Sequence, residues 1–115
     1  MKVKGDTYQV TYDLEKAIVA FRGKVRLWRA TDYEPIIQLL NEVAIAAPQK
    51  ITLDLRELEF LNSSGIDILL RFVIKIRNQQ SSQLVVWGGE TIPWQEKSLS
   101  NMERLMPAGF QLDLV

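Results

Sequence analysis

The sequence contains no cysteine and no histidine. Without cysteine the chain can form neither a disulfide nor a thiolate metal site, so nothing points to an oxidising compartment. Without histidine it lacks the side chain most used to bind zinc or to move a proton near neutral pH. These absences exclude Ser–His and Cys–His catalysis, although carboxylate and lysine chemistry stays open. We expect a protein that holds no metal or cofactor.

An excess of charge and long apolar runs are lacking too. Lys and Arg total 14, and Asp and Glu also total 14, so the formal net charge is zero. Nucleic-acid binding and a polybasic membrane patch both need a basic face. No stretch approaches the roughly 20 apolar residues of a membrane helix, and "MKVKGDTYQV" does not look like a signal peptide. We therefore expect a cytoplasmic protein with no nucleic-acid partner and no membrane insertion.

What is present is typical of one globular domain, residues 1–115, with 47% hydrophobic and 24% charged residues. "YQVTY" alternates like a β-strand, and "AIVAFRG" is a second short strand, with "DLEK" between them as a hairpin turn. "ITLDLREL" is a strand with one buried face, because apolar and polar residues alternate along it. "QLVVWGG" and "FQLDLV" are predicted as further strands.

Three segments show helical periodicity. The first runs over "ATDYEPIIQLLNEVAIAAP", with Thr31 and Glu34 at the spacing of a capping box and Pro48 at its end. A second helix is predicted from Ser64 to about Gln79, and a third within residues 93 to 106. The residues of the first helix that share one apolar face are Tyr33, Ile36, Ile37, Leu40, Val43, Ala44 and Ala47.

These elements follow the order ββαβαβαβ. Strands separated by helices pair in parallel through crossovers, while the first two strands pair as an antiparallel hairpin. We predict one α/β domain with a mixed β-sheet. Helices are expected mainly on one face, because a parallel strand covered on both faces would be apolar throughout.

The second helix is more apolar than packing on one sheet requires, since its polar residues form a narrow stripe. One interpretation is a central helix with a neighbour on each side. The other is that Ile68, Phe72 or Ile74 stay partly exposed and form a docking patch. Both can hold together.

The stretch "NSSG" precedes this helix. Asn62, Ser63 or Ser64 can each cap it by accepting a bond from a free N–H of the first turn. The same free N–H groups favour an anion, so a serine here is also a good position for a phosphate. Gly65 stands alone, which excludes a phosphate-binding loop, and a hydrolytic serine lacks both the G-x-S-x-G elbow and a base.

"ITLDLRELEFLNSSGIDILLRFVIKIR" resembles the central segment of STAS domains, the family of the anti-sigma factor antagonists. There an apolar strand leads to Asp-Ser-Ser-Gly at the start of a long apolar helix. "AIVAFRGKVRL" and "MERLMPAGFQL" resemble flanking segments, so the similarity spans nearly the whole chain, at the length of a stand-alone domain. The resemblance implies a regulatory protein, not an enzyme, that binds a serine kinase acting as an anti-sigma factor. Ser63 would be the residue that this kinase phosphorylates and a phosphatase resets, with Ser64 as its neighbour and cap.

Two residues differ from the family pattern: Asn62 and Arg26 stand where the family has aspartates. Both changes make the site less negative, which suits a bound phosphate. Trp28 is either a core residue, which we favour, or an anchor of an interface. The expected partner-binding residues are Asn62, Ser63, Ser64, Gly65, Ile68, Phe72, Arg26 and Trp28.

Two other interpretations remain open. The chain could be a STAS scaffold or transporter accessory subunit without a phosphorylation switch. It could also be a module that binds a small ligand, a nucleotide or a lipid, at the start of the second helix.

Overall fold

A computed structural model describes residues 1–115 as one six-stranded sheet with three α-helices. A short 3₁₀ turn, Ala30–Tyr33, precedes the first helix. The strands are β1 Lys2–Lys4, β2 Tyr8–Asp13, β3 Ile18–Val25, β4 Lys50–Leu61, β5 Gln83–Gly88 and β6 Phe110–Leu114. The helices are α1 Glu34–Ala46, α2 Ser63–Gln79 and α3 Gln95–Leu105.

The strands lie in the sheet in the same order as in the chain. β1, β2 and β3 pair antiparallel, and β3 to β6 pair parallel. Each helix therefore connects neighbouring parallel strands, and three successive crossovers of the same hand place all helices on one face. The predicted mixed α/β domain is confirmed. β1 was missed, because its three residues are too few to show a period.

β4 forms the floor of the core. Ile51, Leu53 and Leu55 are fully buried under the helices, as their alternation predicts. Beyond Leu55 the buried residues are Leu58 and Leu61, three positions apart rather than two. The register of β4 against β3 shifts twice in this region, so that extra residues change which side chains face the core. The strand therefore runs further than its simple alternation indicates.

The start of α1 differs from the prediction. Thr31 and Glu34 do not form a capping box. Instead the Asp32 carboxylate accepts a hydrogen bond from the Arg29 N–H at 3.0 Å. This pair lies two residues earlier in the chain and caps the 3₁₀ turn that precedes α1. The predicted apolar face also shifts: Ile37 is partly exposed and Ala47 lies beyond the helix end, whereas Leu39 is buried.

α2 packs against α1 on one side and α3 on the other, above the sheet. The central position accounts for its wide apolar surface, and Leu69, Phe72, Val73 and Ile76 are buried. In α3, Leu99 and Met102 are buried. No helix in the structure has the length and apolar character needed to cross a membrane.

Candidate functional site

α2 begins at the C-terminal end of β4, and Asn62 is its N-cap. The Asn62 side-chain oxygen accepts a bond from the Gly65 N–H at 3.0 Å, and its carbonyl accepts one from the Ile66 N–H at 2.9 Å. Asn62 thus performs the capping that the sequence left open among three residues. The expectation that Ser64 is the cap is wrong, because Ser64 already lies within the first turn.

The Asn62 side chain also joins two distant segments to the helix start. Its oxygen accepts a hydrogen bond from the Tyr33 hydroxyl, and its nitrogen donates to the Leu27 carbonyl at 2.9 Å. An aspartate could not make the bond to Leu27, because an ionised carboxylate has no donor. The structure therefore gives a local reason for asparagine where the family has aspartate.

Tyr33 and Gly65 complete this junction below the surface. Tyr33 is 2% exposed, and burial raises the pKa of its hydroxyl, so that it stays the donor to Asn62. A Cβ at Gly65 would lie 2.2 Å from Leu61 Cδ1 and 3.2 Å from the Tyr33 hydroxyl oxygen. Gly65 is needed for close packing and is buried, which corrects its expected place on the contact surface.

Ser63 and Ser64 are the first two residues of α2, and both are exposed. Neither hydroxyl makes a hydrogen bond within the protein, and neither backbone N–H has a partner. The two hydroxyls are free because Asn62 already serves as the cap. An anion on either serine would meet free N–H groups and the positive end of the helix dipole.

An exposed patch lies beside the serines, in the loop after β3 and at the end of β4. The Leu27–Asn62 bond holds this loop against the helix start, so Arg26 and Trp28 lie next to it. Trp28 is 92% exposed, so the expectation that it belongs to the core is wrong. The Arg26 guanidinium lies 4.8 Å from the ring centre of Phe60, itself 37% exposed. We call Arg26, Trp28 and Phe60 the aromatic–arginine patch.

The outer side of α2 extends this surface. Asp67 and Arg71 form an ion pair at 2.7 Å, one and two turns beyond Ser63. Ile68 is half-buried in a shallow groove between α1 and α2 that Ile37 also lines. Phe72 is only 4% exposed and forms the floor of that groove, which corrects its expected exposure.

Sequence reasoning missed Tyr33 and Leu27 as parts of the site. Tyr33 was assigned to the core from its helical spacing alone, and nothing local shows its bond to a residue 29 positions away. Leu27 contributes only a backbone carbonyl, which no side-chain pattern reveals. Only the three-dimensional fold places Tyr33 and Leu27 beside the Asn62 side chain.

The chain was compared with known proteins. No protein-family model and no curated protein matches it. Among solved structures, one chain in the crystal structure of a complex matches with a TM-score of 0.75. That complex joins the diguanylate cyclase SiaD and its activator SiaC from Pseudomonas aeruginosa. That match is 13% identical and covers 100% of this chain and 99% of the other. SiaC of Pseudomonas aeruginosa matches with a TM-score of 0.75 and 11% identity, over 100% of this chain and 98% of that one.

An anti-sigma factor antagonist from Mycobacterium paratuberculosis also matches, with a TM-score of 0.68 and 17% identity. The match covers 94% of this chain and 88% of the antagonist. At such low identities the similarity establishes the fold alone. The protein has the fold of STAS domains and the anti-sigma factor antagonists, as the sequence resemblance implies.

Proposed function

We propose that the protein is a regulatory domain that binds another protein and is switched by phosphorylation of Ser63. One observation carries the proposal. Ser63 is exposed at the start of α2 with a free hydroxyl, because the neighbouring Asn62 supplies the cap. The aromatic–arginine patch next to it offers the residue types that dominate the energy of protein interfaces.

A phosphate on Ser63 would leave the fold intact. It would add about −1.5 to −2 charges at a position where the helix dipole and free N–H groups favour an anion by about 0.3–1 kcal/mol. The same charge would oppose docking, because burying it without a counter-charge in an interface costs several kcal/mol. The modification therefore controls binding without controlling folding.

The family resemblance and the structural neighbours support two classes of partner. For an antagonist of the anti-sigma type, the partners are a serine kinase that doubles as an anti-sigma factor and a phosphatase, all cytoplasmic. SiaC supports a second candidate, since it is described as the activator of a diguanylate cyclase. In that case the partner is an enzyme whose activity rises on binding.

Phosphate mapping tests the switch directly. Protein purified from its own host should carry one phosphate on Ser63 in a fraction of the molecules, as measured by mass spectrometry of its peptides. Ser64 is the internal control, since it is also exposed and lies one residue away. Phosphate found only on other residues, or on none under any growth condition, would remove the switch from the proposal.

A pair of charge variants tests the coupling to binding. Ser63→Asp should leave the melting temperature nearly unchanged and weaken partner binding about tenfold or more, equivalent to about 1.4 kcal/mol. Ser81→Asp adds the same charge to an exposed serine in the turn after α2 and should change neither. Calorimetric titration of the partner recovered with wild-type protein decides it. Normal binding by Ser63→Asp would place the contact surface elsewhere.

A further inference from the structure

The two edges of the sheet are built differently. At the β1 edge, Met1 and Gly5 hydrogen-bond to β2, with Tyr12 N to Met1 O and Gly5 N to Tyr8 O both at 3.0 Å. Backbone groups alternate along a strand, so Lys2 and Lys4 direct their N–H and C=O groups outward. Both are exposed lysines, and charged side chains on an edge strand discourage pairing with another chain.

The β6 edge has no such protection. Gly109 O accepts from Leu84 N at 2.8 Å, and Val115 N donates to Gly88 O at 3.0 Å, so the odd-numbered residues face β5. Phe110, Leu112 and Leu114 therefore direct their N–H and C=O groups outward. All three are apolar, Leu114 is 38% exposed, and no strand lies beyond β6 in the sheet.

We infer that β6 pairs antiparallel with β6 of a second copy of this chain, about a two-fold axis at Leu112. In this register Leu112 lies opposite Leu112 of the second copy, and Phe110 lies opposite Leu114. Each of these residues has outward backbone groups, so each pair exchanges two hydrogen bonds, about six in all. Two six-stranded sheets become one continuous sheet.

The side chains on the open face of the sheet select this register and this occupant. Gln111 lies opposite Asp113 of the second copy, in the type of pair where side chains are closest. Gln111 already donates to Asp113 of its own chain at 3.0 Å, so its amide is suited to a carboxylate. Sliding the copies by two residues in one direction would set Asp113 against Asp113. Sliding them in the other direction would set Gln111 against Gln111 and Asp113 against Gly109, so neither slide pairs an amide with a carboxylate. A two-fold interface requires self-complementarity of this kind, which explains the choice of a second copy.

The interface stands apart from the proposed switch. β6 is two strands away from β4, whose end leads to Ser63, so both copies keep the aromatic–arginine patch free. Failure of either proposal leaves the other standing.

Sedimentation of the purified full chain, from about 10 µM to about 1 mM, measures the association. The wild type should show a concentration-dependent dimer. Gln111→Glu sets two carboxylates against each other at both pairs and should weaken the dimer about fivefold, whereas Gln111→Lys should tighten it by a similar factor. Gln111 is exposed, and its bond to Asp113 of its own chain lies at the surface. Thermal melts of both variants, run at concentrations where the chain is monomeric, should therefore stay close to that of the wild type. Equal dimerisation by the two variants would overturn the inference.

Amide hydrogen exchange locates the contact. The N–H groups of Phe110, Leu112 and Leu114 should gain protection as concentration rises, while those of Lys2 and Lys4 should not. A dimer protected elsewhere, for example at the aromatic–arginine patch, would overturn the assignment. A chain that stays monomeric with freely exchanging β6 amides would overturn it too, and would leave this edge to an extended segment of a different protein.

Discussion

At the scale of single residues, the side chain of Asn62 makes bonds to the Gly65 N–H, the Leu27 carbonyl and the Tyr33 hydroxyl. The adjacent Ser63 and Ser64 hydroxyls bond to nothing in the protein. The helix cap and the proposed phosphorylation site are thus separate, neighbouring residues of the chain.

Replacing Asn62 by Asp should lower the free energy of unfolding by about 1–2 kcal/mol, because the carboxylate cannot donate to the Leu27 carbonyl and faces it instead. Ser63→Ala is the matched control and should change stability by less than about 0.5 kcal/mol. Urea unfolding measures both. Equal unfolding midpoints for Asn62→Asp and wild type would show that the bond to Leu27 contributes nothing.

The buried Tyr33 hydroxyl makes the stability of the fold depend on pH in the alkaline range. Burial raises the pKa of its hydroxyl above the ordinary 10.0, so the unfolded chain loses this proton first as the pH rises. The protonated Tyr33 hydroxyl contributes to the free energy of unfolding below about pH 10. This contribution is lost as the pH rises through the pKa that Tyr33 has in the folded protein. Between about pH 9 and pH 11 the melting temperature of Tyr33→Phe should therefore fall less than that of wild type. Parallel thermal melts would contradict this prediction.

The sequence motif places Asn62, Ser63 and Ser64 at a helix start, but it does not reveal which of them is the cap. That choice depends on Leu27 and Tyr33, which lie 35 and 29 positions away in the chain. Trp28 was misjudged for a related reason. A tryptophan in a loop can face inward or outward, and only the Leu27 bond fixes the direction of this loop.

At the scale of elements, α1 and α2 end without glycine at the left-handed position. Ala47 follows α1 with φ 46°, and Gln80 follows α2 with φ 56°. A residue with a Cβ is strained in this conformation, and glycine is the usual choice there. Both helix ends are therefore less stable than they could be.

Ala47→Gly should raise the free energy of unfolding by about 0.5–1 kcal/mol, because glycine removes the strain at a positive φ. Ala46→Gly is the control, one residue earlier and within α1. It should lower the free energy of unfolding by about 0.5–1 kcal/mol, since glycine has poor helix propensity. Chemical denaturation of both variants decides it, and shifts of the same sign would contradict the argument.

Periodicity predicted the three helices and five of the strands well, because long amphipathic segments bury one face. It failed where backbone irregularity changes that face. In β4 the two register shifts set Leu55, Leu58 and Leu61 three residues apart, a spacing that does not read as a strand. A 3₁₀ turn occupies Ala30–Tyr33, so α1 begins only at Glu34 and the predicted capping box of Thr31 and Glu34 does not form.

At the scale of the whole molecule, one buried polar residue joins α3 to the end of β4. The Gln95 amide donates to the carbonyls of Leu55 and Leu58 at 2.6 and 3.1 Å, and its oxygen accepts from the Gly89 N–H at 2.8 Å. Gln95 is fully buried. It satisfies the backbone groups that β4 and β5 leave unpaired where their ladder ends.

Gln95→Met keeps the size of the side chain but removes all three bonds. The free energy of unfolding should fall by about 3 kcal/mol, because the Leu55 carbonyl and the Gly89 N–H lose their side-chain partner and each orphaned buried group costs about 1–3 kcal/mol. The Leu58 carbonyl keeps its bond from the Trp94 indole N–H at 3.0 Å. Gln38→Met, on the exposed side of α1, should change it by less than about 0.5 kcal/mol. Thermal and urea unfolding report the difference, and equal losses in the two variants would contradict the role of Gln95.

The agreement between strand order and chain order has a mechanical consequence. β1 and β6 lie at opposite edges, about 24 Å apart if five spacings of about 4.8 Å separate them. A force applied between Lys4 and Leu114, which end β1 and β6 at the same side of the sheet, pulls across the strands. Such a force unzips the hydrogen bonds between neighbouring strands one after another, whereas a force along the strands would load many of these bonds at once. Tethered by these residues, the domain should yield at low force, beginning with the short strand β1.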